Sequence, residues 1–203
     1  NIFNKTIATR NGYLLPLTPE FFTYFNAADV TRQVHGRNML EMEELSDGSV
    51  NVTLRVPLKK RYIELTRNYY PIDDPSWQFD EKRGTGRIIT NVVMSTAVFP
   101  FVRTNIKDDY TVQLITMIDG GKASLEFWRD GMSREGLKSS GKSRSSGTYS
   151  TVYYDLEGSF DFINVQITNA IGTFSGYIVP LWKPYVASSK ELIFAVDFGT
   201  TNS

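Results

Sequence analysis

Apolar and polar residues alternate with a period of two along most of the chain after residue 38. This period is typical of β-strands with one buried face, and segment 50–56 shows it without interruption. Turn signals at 46–49 (Ser-Asp-Gly-Ser) and 119–122 (Asp-Gly-Gly-Lys) separate neighbouring runs. The pattern predicts strands over the following ranges: 39–45, 50–56, 62–70, 88–93, 97–102, 110–118, 123–128, 151–156, 160–167 and 174–182.

One short helix is predicted near the N-terminus. Thr18 suits an N-cap, Pro19 the first helical position and Glu20 the first turn, where an acid is favourable. Phe21 and Phe25 then lie one turn apart and give the helix an aromatic face. We interpret this face as the seal on one end of a core, with the docking of a partner helix as the alternative.

Three stretches interrupt the strand pattern. Residues 1–12 have no clear period, residues 130–150 are rich in Gly, Ser, Lys and Arg, and residues 182–190 contain Pro184 and paired serines. We expect an irregular lead-in, a flexible loop and a linker, respectively. Because no helical period recurs between the strands, the chain is predicted to be mainly β, an antiparallel, jelly-roll-like β-sandwich with one short N-terminal helix.

Composition limits the classes of function. The 203 residues suffice for one large or two small domains, and 41% hydrophobic residues can fill a core. Lys and Arg together number 22, as do Asp and Glu, so no basic excess points to nucleic acid. The chain has no cysteine, which excludes disulfides and Cys-based metal sites and is compatible with the cytoplasm, where we expect the protein. No apolar stretch is long enough to cross a bilayer, so a membrane partner is not expected.

The last residues carry the most specific pattern. An apolar run at 192–196 is followed by Asp197, Gly199, Thr200 and Thr201. Glycine lets the backbone approach an anion closely, and successive N–H groups of a turn can form a nest for phosphate oxygens. The threonine hydroxyls can add hydrogen bonds, and the carboxylate can hold a hydrated Mg²⁺. A strand that leads into a phosphate-binding turn is therefore predicted here.

The sequence Asp-Phe-Gly-Thr-Thr-Asn-Ser at 197–203 resembles the first phosphate-binding motif of the actin, sugar-kinase and DnaK-type chaperone superfamily, and most of all its DnaK-type branch. The resemblance covers only about the last dozen residues. It implies that 186–203 contain a linker, the first strand and the phosphate loop of an actin/DnaK-like ATPase domain. Residues 1–185 would then form a β-rich accessory or binding domain ahead of it.

The same resemblance assigns roles to individual residues. Asp197 would organise Mg²⁺ through water, and the residues that would contact or support the ATP phosphates are Gly199, Thr200, Thr201, Asn202 and Ser203. The second phosphate loop and the adenosine pocket of the family would lie beyond Ser203. We therefore expect no cofactor and no ATP hydrolysis for this chain by itself, and ATP with Mg²⁺ only for a longer parent protein.

A second phosphate-binding pattern occurs in the Gly/Ser-rich loop. Residues 136–143 match the Walker A sequence, with Lys142 and Ser143 in the positions that contact phosphate and Mg²⁺. A true phosphate loop directly follows a strand and opens a helix, and neither is predicted at this point. We interpret the stretch as a solvated hairpin loop, with an enzyme acting on nucleotides as the less favoured alternative.

A few other side chains are candidates for a binding surface. Lys138, Lys142 and Arg144 could contact an acidic partner or a nucleic-acid backbone, and Trp77 lies in a polar loop where its ring could be exposed. His35 is the only histidine, and no nucleophile motif accompanies it, so we assign no catalytic residue.

These observations lead to two hypotheses of function. The first is a non-catalytic β-rich binding or regulatory module ahead of a DnaK/actin-like ATPase, which couples recognition of a partner to nucleotide state. Its partner would be a protein or the downstream ATPase domain. The second is a free-standing β-sandwich that binds a glycan or a protein through exposed aromatic rings.

Overall fold

The computed structural model describes residues 2–8, 14–71, 85–89, 92, 94–104, 108–117, 122–129, 140–170 and 172–186. These residues are mainly β, with several antiparallel sheets, one short α-helix and one 3₁₀ turn, as the sequence pattern predicts. The boundary expected at 185/186 stays a prediction, because 187–203 lie outside the described residues.

The elements follow one another along the chain as β1 (Thr6–Ala8), α1 (Phe21–Tyr24), a 3₁₀ turn (Ala27–Thr31), β2 (Gln33–Val34), β3 (Arg37–Asn38), β4 (Leu40–Glu44), β5 (Val50–Pro57), β6 (Tyr62–Pro71), β7 (Gly86–Ile89), β8 (Met94–Phe99), β9 (Val102–Arg103), β10 (Asp109–Met117), β11 (Lys122–Trp128), β12 (Ser140–Ser146), β13 (Tyr149–Glu157), β14 (Phe162–Asn169), β15 (Gly172–Ile178) and β16 (Lys183–Pro184).

Three larger sheets organise the described residues. One sheet has five strands in the order β1-β7-β6-β5-β4, a second has four in the order β12-β13-β10-β8, and a third has three in the order β11-β14-β15. The pairs β9/β16 and β2/β3 form two small ribbons. Most neighbours are antiparallel, as predicted, but β1/β7, β6/β7 and β9/β16 are short parallel pairs that the alternation pattern did not indicate.

The four-stranded and three-stranded sheets face each other across one apolar core. Val112 and Leu114 of β10 and Leu156 of β13 lie on one side of this core, and Val165 and Ile167 of β14 lie on the other. All five side chains are buried, and they alternate with more exposed neighbours along their strands. This packing of one sheet on another is the sandwich that the sequence predicts.

A second apolar core lies between the five-stranded sheet and α1. Phe21 of α1 is buried here, together with Val50, Val52 and Leu54 of β5. Phe162 of β14 also belongs to this core, whereas its neighbour Ile163 belongs to the first. Adjacent residues of a strand point to opposite faces, so β14 contributes to both cores and joins them.

The helix lies close to its predicted place but begins later. The carbonyl of Thr18 accepts a hydrogen bond from Phe21 N at 3.0 Å, yet α1 starts only at Phe21, and Glu20 occupies the N-cap without a side-chain capping bond. Thr18 is therefore not the N-cap. The aromatic face does pack on the core, since Phe22 stacks on Phe162 with ring centroids 3.8 Å apart.

Two turns follow the residue preferences of their positions. The predicted turn at 46–49 joins β4 to β5, and the Asp47 carboxylate accepts hydrogen bonds from the Ser49 amide and hydroxyl at 2.9 and 2.6 Å. These bonds lower the pKa of Asp47. His35 and Gly36, at φ 51° and 79°, form the two-residue turn between β2 and β3. The only histidine therefore occupies a left-handed turn position, as expected for a loop residue.

Residues 2–8 have more regular structure than the sequence suggests, whereas residues 1 and 9–12 of the expected lead-in lie outside the described residues. Residues 2–8 contain β1, which pairs with β7, and Phe3, which is buried in the second core. The Tyr69 hydroxyl donates a hydrogen bond to the Asn4 carbonyl at 2.7 Å. The partners of this segment are distant in the sequence, so the local pattern of apolar and polar residues does not predict these contacts.

The Gly/Ser-rich stretch is corrected in part. Residues 140–146, expected as a loop, form β12 and pair with β13 in an antiparallel hairpin. Gly147, with φ 59°, occupies the first position of the two-residue turn between them, a position that requires positive φ in the common hairpin turns. Residues 130–139 of the predicted loop lie outside the described residues.

Candidate binding surface

The predicted site residues divide into two groups. Lys142 and Arg144 lie in β12. The others lie outside the described residues: Trp77, Lys138, Asp197, Gly199, Thr200, Thr201, Asn202 and Ser203. The structure therefore brings together two of the predicted residues, and the roles given to the terminal motif stay predictions.

Lys142 and Arg144 share one face of an edge strand. They lie two residues apart in β12, opposite Tyr153 and Thr151 of β13, and both side chains are exposed. Lys142 Nζ lies 3.8 Å from the Asp155 carboxylate, which is itself about half exposed. Such a surface pair contributes little to stability. The two cations remain accessible to an acidic partner.

The extended conformation of β12 also affects the interpretation of the Walker A match. In a phosphate loop, Lys142 and Ser143 would open a helix whose N-terminal amides contact the phosphates. Here both residues lie within β12, where the backbone is extended and pairs with β13. This local geometry does not provide the helical cradle, so the match at 136–143 is not supported as a nucleotide site.

A different surface stands out by its apolar character. Its side chains come from the end of β8 and from the segments around β9 and β16, and all are exposed: Phe99 (77%), Phe101 (40%), Leu181 (68%), Tyr185 (63%) and Val186 (80%). We call these five residues the exit surface, because Tyr185 and Val186 lie in the stretch 182–190 that is expected to be a linker. Exposed apolar side chains are typical of interaction sites where they form one patch.

Strand pairing brings the two halves of the exit surface together. Lys183 pairs with Val102 in the parallel ribbon of β9 and β16. This register places Trp182 beside Phe101, and their rings stack with centroids 5.6 Å apart. Phe99 precedes this segment across the cis Phe99–Pro100 bond, and Tyr185 and Val186 directly follow β16.

The exit surface rests on an aromatic base. The Trp182 ring packs edge-on against Phe160 and Tyr110, and its Nε1–H donates a hydrogen bond to the Phe160 carbonyl at 2.9 Å. The buried Tyr110 donates its hydroxyl hydrogen to the Val102 carbonyl at 2.9 Å and accepts one from the Thr104 amide at 3.2 Å. These bonds fix β9 and the residue that precedes β16 to the sandwich core.

One ion pair lies beside the exit surface. Arg103 of β9 contacts the buried Asp161 carboxylate at 2.5 Å, while its own side chain is about half exposed. The Asp161 amide donates a hydrogen bond to the Trp128 carbonyl at 2.8 Å, which fixes the carboxylate. The guanidinium beside the exit surface is therefore paired with a buried carboxylate.

A second charged cluster is structural rather than a binding site. Arg55 is buried on β5, and its guanidinium contacts Glu41 of β4 at 2.7 Å, Glu64 of β6 at 2.9 Å and the Asn38 carbonyl at 3.0 Å. Burial opposes the charged form, but the hydrogen bonds to the two glutamates outweigh it and raise the pKa of Arg55. This permanent cation joins three neighbouring strands.

Two tyrosines have shifted pKa values in the interior. Burial, with the nearby charges of Glu126 and Glu20, raises the pKa of Tyr177 to about 12. Burial likewise raises the pKa of Tyr69, despite the opposing charge of Arg67. Both hydroxyls therefore stay protonated at neutral pH, which suits packing and hydrogen bonding rather than proton transfer.

The described ranges were also searched for metal sites and membrane spans. They contain no group of three or more His, Cys, Asp or Glu side chains that could hold a metal ion. No helix among them is long and apolar enough to cross a membrane. Asp197, the predicted Mg²⁺ residue, lies outside these ranges and stays a prediction.

Comparison with protein families and with curated proteins gives no relative. No protein-family model matches the chain, and no curated protein is significantly similar to it. The argument about function therefore depends on the residues of this chain and on the resemblance of its last residues to a known phosphate-binding motif.

Proposed function

We propose that the chain is a non-catalytic β-rich binding or regulatory module that precedes a DnaK/actin-like ATPase domain and couples partner recognition to the nucleotide state of that domain. The observation that carries the proposal is the phosphate motif at 197–203, directly after the apolar run at 192–196. In this proposal Asp197 positions a hydrated Mg²⁺, and Gly199 and the two threonines contact phosphate oxygens.

The fold of the preceding residues supports a binding role. The sandwich keeps its exposed apolar side chains on a base fixed by hydrogen bonds, as a docking surface requires. The linker expected at 182–190 leads into the apolar run at 192–196. A connection this short restricts the relative positions of two domains, so binding at one can alter the other.

Calorimetry with MgATP tests the proposal. A protein that continues beyond Ser203 should bind MgATP, and Asp197→Ala should weaken binding by about tenfold or more, which corresponds to about 1.4 kcal/mol. Lys142→Ala is the matched control and should leave binding unchanged, because this lysine lies in an extended edge strand. Tight binding to residues 1–203 alone, or a loss with Lys142→Ala, would contradict the proposed division of roles.

One observation favours the second hypothesis, a glycan- or protein-binding sandwich. Several aromatic rings are exposed away from the cores, including Tyr24 (74%) and Tyr149 (50%). Flat exposed rings can stack on sugars or on apolar side chains. Saturable glycan binding that Tyr149→Ala abolishes, with no binding of MgATP by the longer protein, would favour this function over the first.

A further inference from the structure

The four-stranded sheet ends on one side at β8. Among the described strands, β8 (Met94–Phe99) pairs with β10 alone, and the side chains of Ser95, Ala97 and Phe99 on its outer face are exposed. A strand that is paired on one side leaves a row of N–H and C=O groups along its other side. The free side of β8 is therefore a template for a further strand.

Other long edge strands carry charges that oppose such pairing. Charged side chains on an edge strand are one of the devices by which β proteins prevent the addition of another strand. They occur in three of the described edge strands: Glu41, Glu43 and Glu44 in β4, Lys122 and Glu126 in β11, and Lys142 and Arg144 in β12. The sequence of β8, Met-Ser-Thr-Ala-Val-Phe, contains no charged residue.

The remaining long edge strand, β15, is uncharged but covered. Leu15 and Tyr177 exchange two backbone hydrogen bonds, each 2.9 Å long, and the Asn4 side chain donates another to the Ser175 carbonyl at 3.0 Å. The N-terminal segment of the chain therefore occupies this edge. Among the longer edge strands that the structure describes, β8 alone has neither charges nor a covering segment.

A second copy of the chain suits this edge. Two identical strands that pair antiparallel are related by a twofold axis normal to the sheet, so each side chain near the axis lies close to the same position of the other copy. Like charges at such positions would repel, and β8 has none. The numbers of Lys plus Arg and of Asp plus Glu are equal, so no net charge keeps two copies apart.

The faces of the two sheets would also match. A twofold axis normal to the sheet keeps the core-facing sides of both sheets on the same side. Met94 and Val98 of β8 pack on the first core but are only half-buried at the sheet edge. A second sheet alongside would therefore cover apolar side chains that the edge leaves partly in contact with water.

We propose that β8 pairs antiparallel with β8 of a second copy, so that two four-stranded sheets join into one and the chain forms a twofold symmetric dimer. This inference does not depend on the terminal phosphate motif or on ATP binding. It rests on the free edge of β8, on its uncharged sequence and on the protection of the other described edges.

Sedimentation velocity of the full chain at increasing concentration tests the proposal, and we expect a reversible dimer. Ala97→Lys adds an exposed positive charge near the centre of β8, so that two lysines lie close together across the axis. This change should raise the dissociation constant of the dimer at least about tenfold. Ala97→Glu should have a similar effect, because it places two carboxylates at the same point.

Mixing the two variants gives the most specific result. An equal mixture of Ala97→Lys and Ala97→Glu places opposite charges across the axis, and it should form a mixed dimer at concentrations at which neither variant dimerises alone. Pairing of β8 with itself predicts this rescue, whereas a contact made elsewhere on the chain does not.

The control adds the same charge to a protected edge. Ser124 is an exposed residue of β11, which already carries charges, so Ser124→Lys should leave the dissociation constant of the dimer unchanged. Circular dichroism checks that each variant is folded. If the Ala97 variants fail this check, Ser95→Lys and Ser95→Glu, at an exposed position of the same strand, replace them.

Three results would overturn the inference. A chain that stays monomeric at every concentration would leave the edge of β8 to an extended segment of another protein. A dimer that Ala97→Lys does not weaken, or that Ser124→Lys weakens equally, would have its interface elsewhere. Failure of the mixed variants to dimerise, when each is folded, would show that the two β8 strands do not lie side by side.

Discussion

The Trp182 indole stacks on the Phe101 ring, with their centroids 5.6 Å apart and their planes inclined by 28°. This contact joins two segments that are distant in the sequence, and Phe101 is itself one of the exposed side chains of the exit surface. The Trp182 Nε1–H bond to the Phe160 carbonyl fixes the ring from the other side. Trp182, like Tyr110, therefore connects this region to the sandwich core.

Loss of the Trp182 side chain should destabilise the domain. Trp182→Ala removes ring contacts with Phe101, Tyr110 and Phe160, and we expect it to lower the free energy of unfolding by about 3 kcal/mol. The neighbouring Leu181→Ala removes an exposed side chain and should change it by less than about 0.5 kcal/mol. Urea denaturation measures both, and equal effects would contradict the anchoring role.

Arg55 should stabilise the five-stranded sheet. Arg55→Ala removes bonds to two glutamates and leaves the Asn38 carbonyl without its guanidinium partner, so we expect a loss of about 2 kcal/mol in the free energy of unfolding. Arg61→Ala, in the exposed turn between β5 and β6, is the control and should have little effect. A loss below about 0.5 kcal/mol for Arg55→Ala would show that the cluster is dispensable.

Tyr177 should make the domain sensitive to alkaline pH. Its pKa is raised to about 12 in the folded chain and is about 10 when unfolded, so the unfolded state loses its proton first as pH rises. The stability that burial of the neutral hydroxyl provides is complete below pH 10 and decreases between about pH 10 and 12. Tyr177→Phe keeps the ring and should reduce this decrease, by about 3 kcal/mol at most. Identical pH profiles of unfolding for the two proteins would contradict the assignment.

Gly147 should be required by the hairpin that holds β12. Its φ of 59° is strained for residues with a side chain, so Gly147→Ala should cost about 1 kcal/mol. Thr148→Ala changes the other turn residue, whose φ is not positive, and should cost less. Thermal unfolding compares the two variants, and a larger cost for Thr148→Ala would mean that the turn has another geometry.

The sequence pattern predicts those strands that have one buried face and one exposed face. In β5, Val50, Val52 and Leu54 alternate with less buried residues, and the structure confirms the strand almost residue for residue. In contrast, β12 consists of Ser, Gly, Lys and Arg, so no apolar period distinguishes it from a loop. Its strand conformation comes from pairing with β13. A local pattern of apolar and polar residues does not reveal this pairing.

The sequence pattern also does not predict the exit surface. Phe99 and Phe101 lie in one predicted strand and Leu181 lies in another, so their apolar character alone favours burial. Phe101 and Leu181 lie next to the parallel pair of β9 and β16, which joins segments far apart in the chain. An apolar side chain indicates burial on average, but the sequence does not identify the strand end that lacks a covering sheet.

The central claim, a β-rich module ahead of an ATP-binding domain, is tested most directly by the reading frame beyond Ser203 and by MgATP binding to the protein it encodes. The account predicts a continuing frame with a second Asp-Gly phosphate loop, and MgATP binding that Asp197→Ala weakens. A stop codon directly after Ser203, or a longer protein that does not bind MgATP, would contradict it.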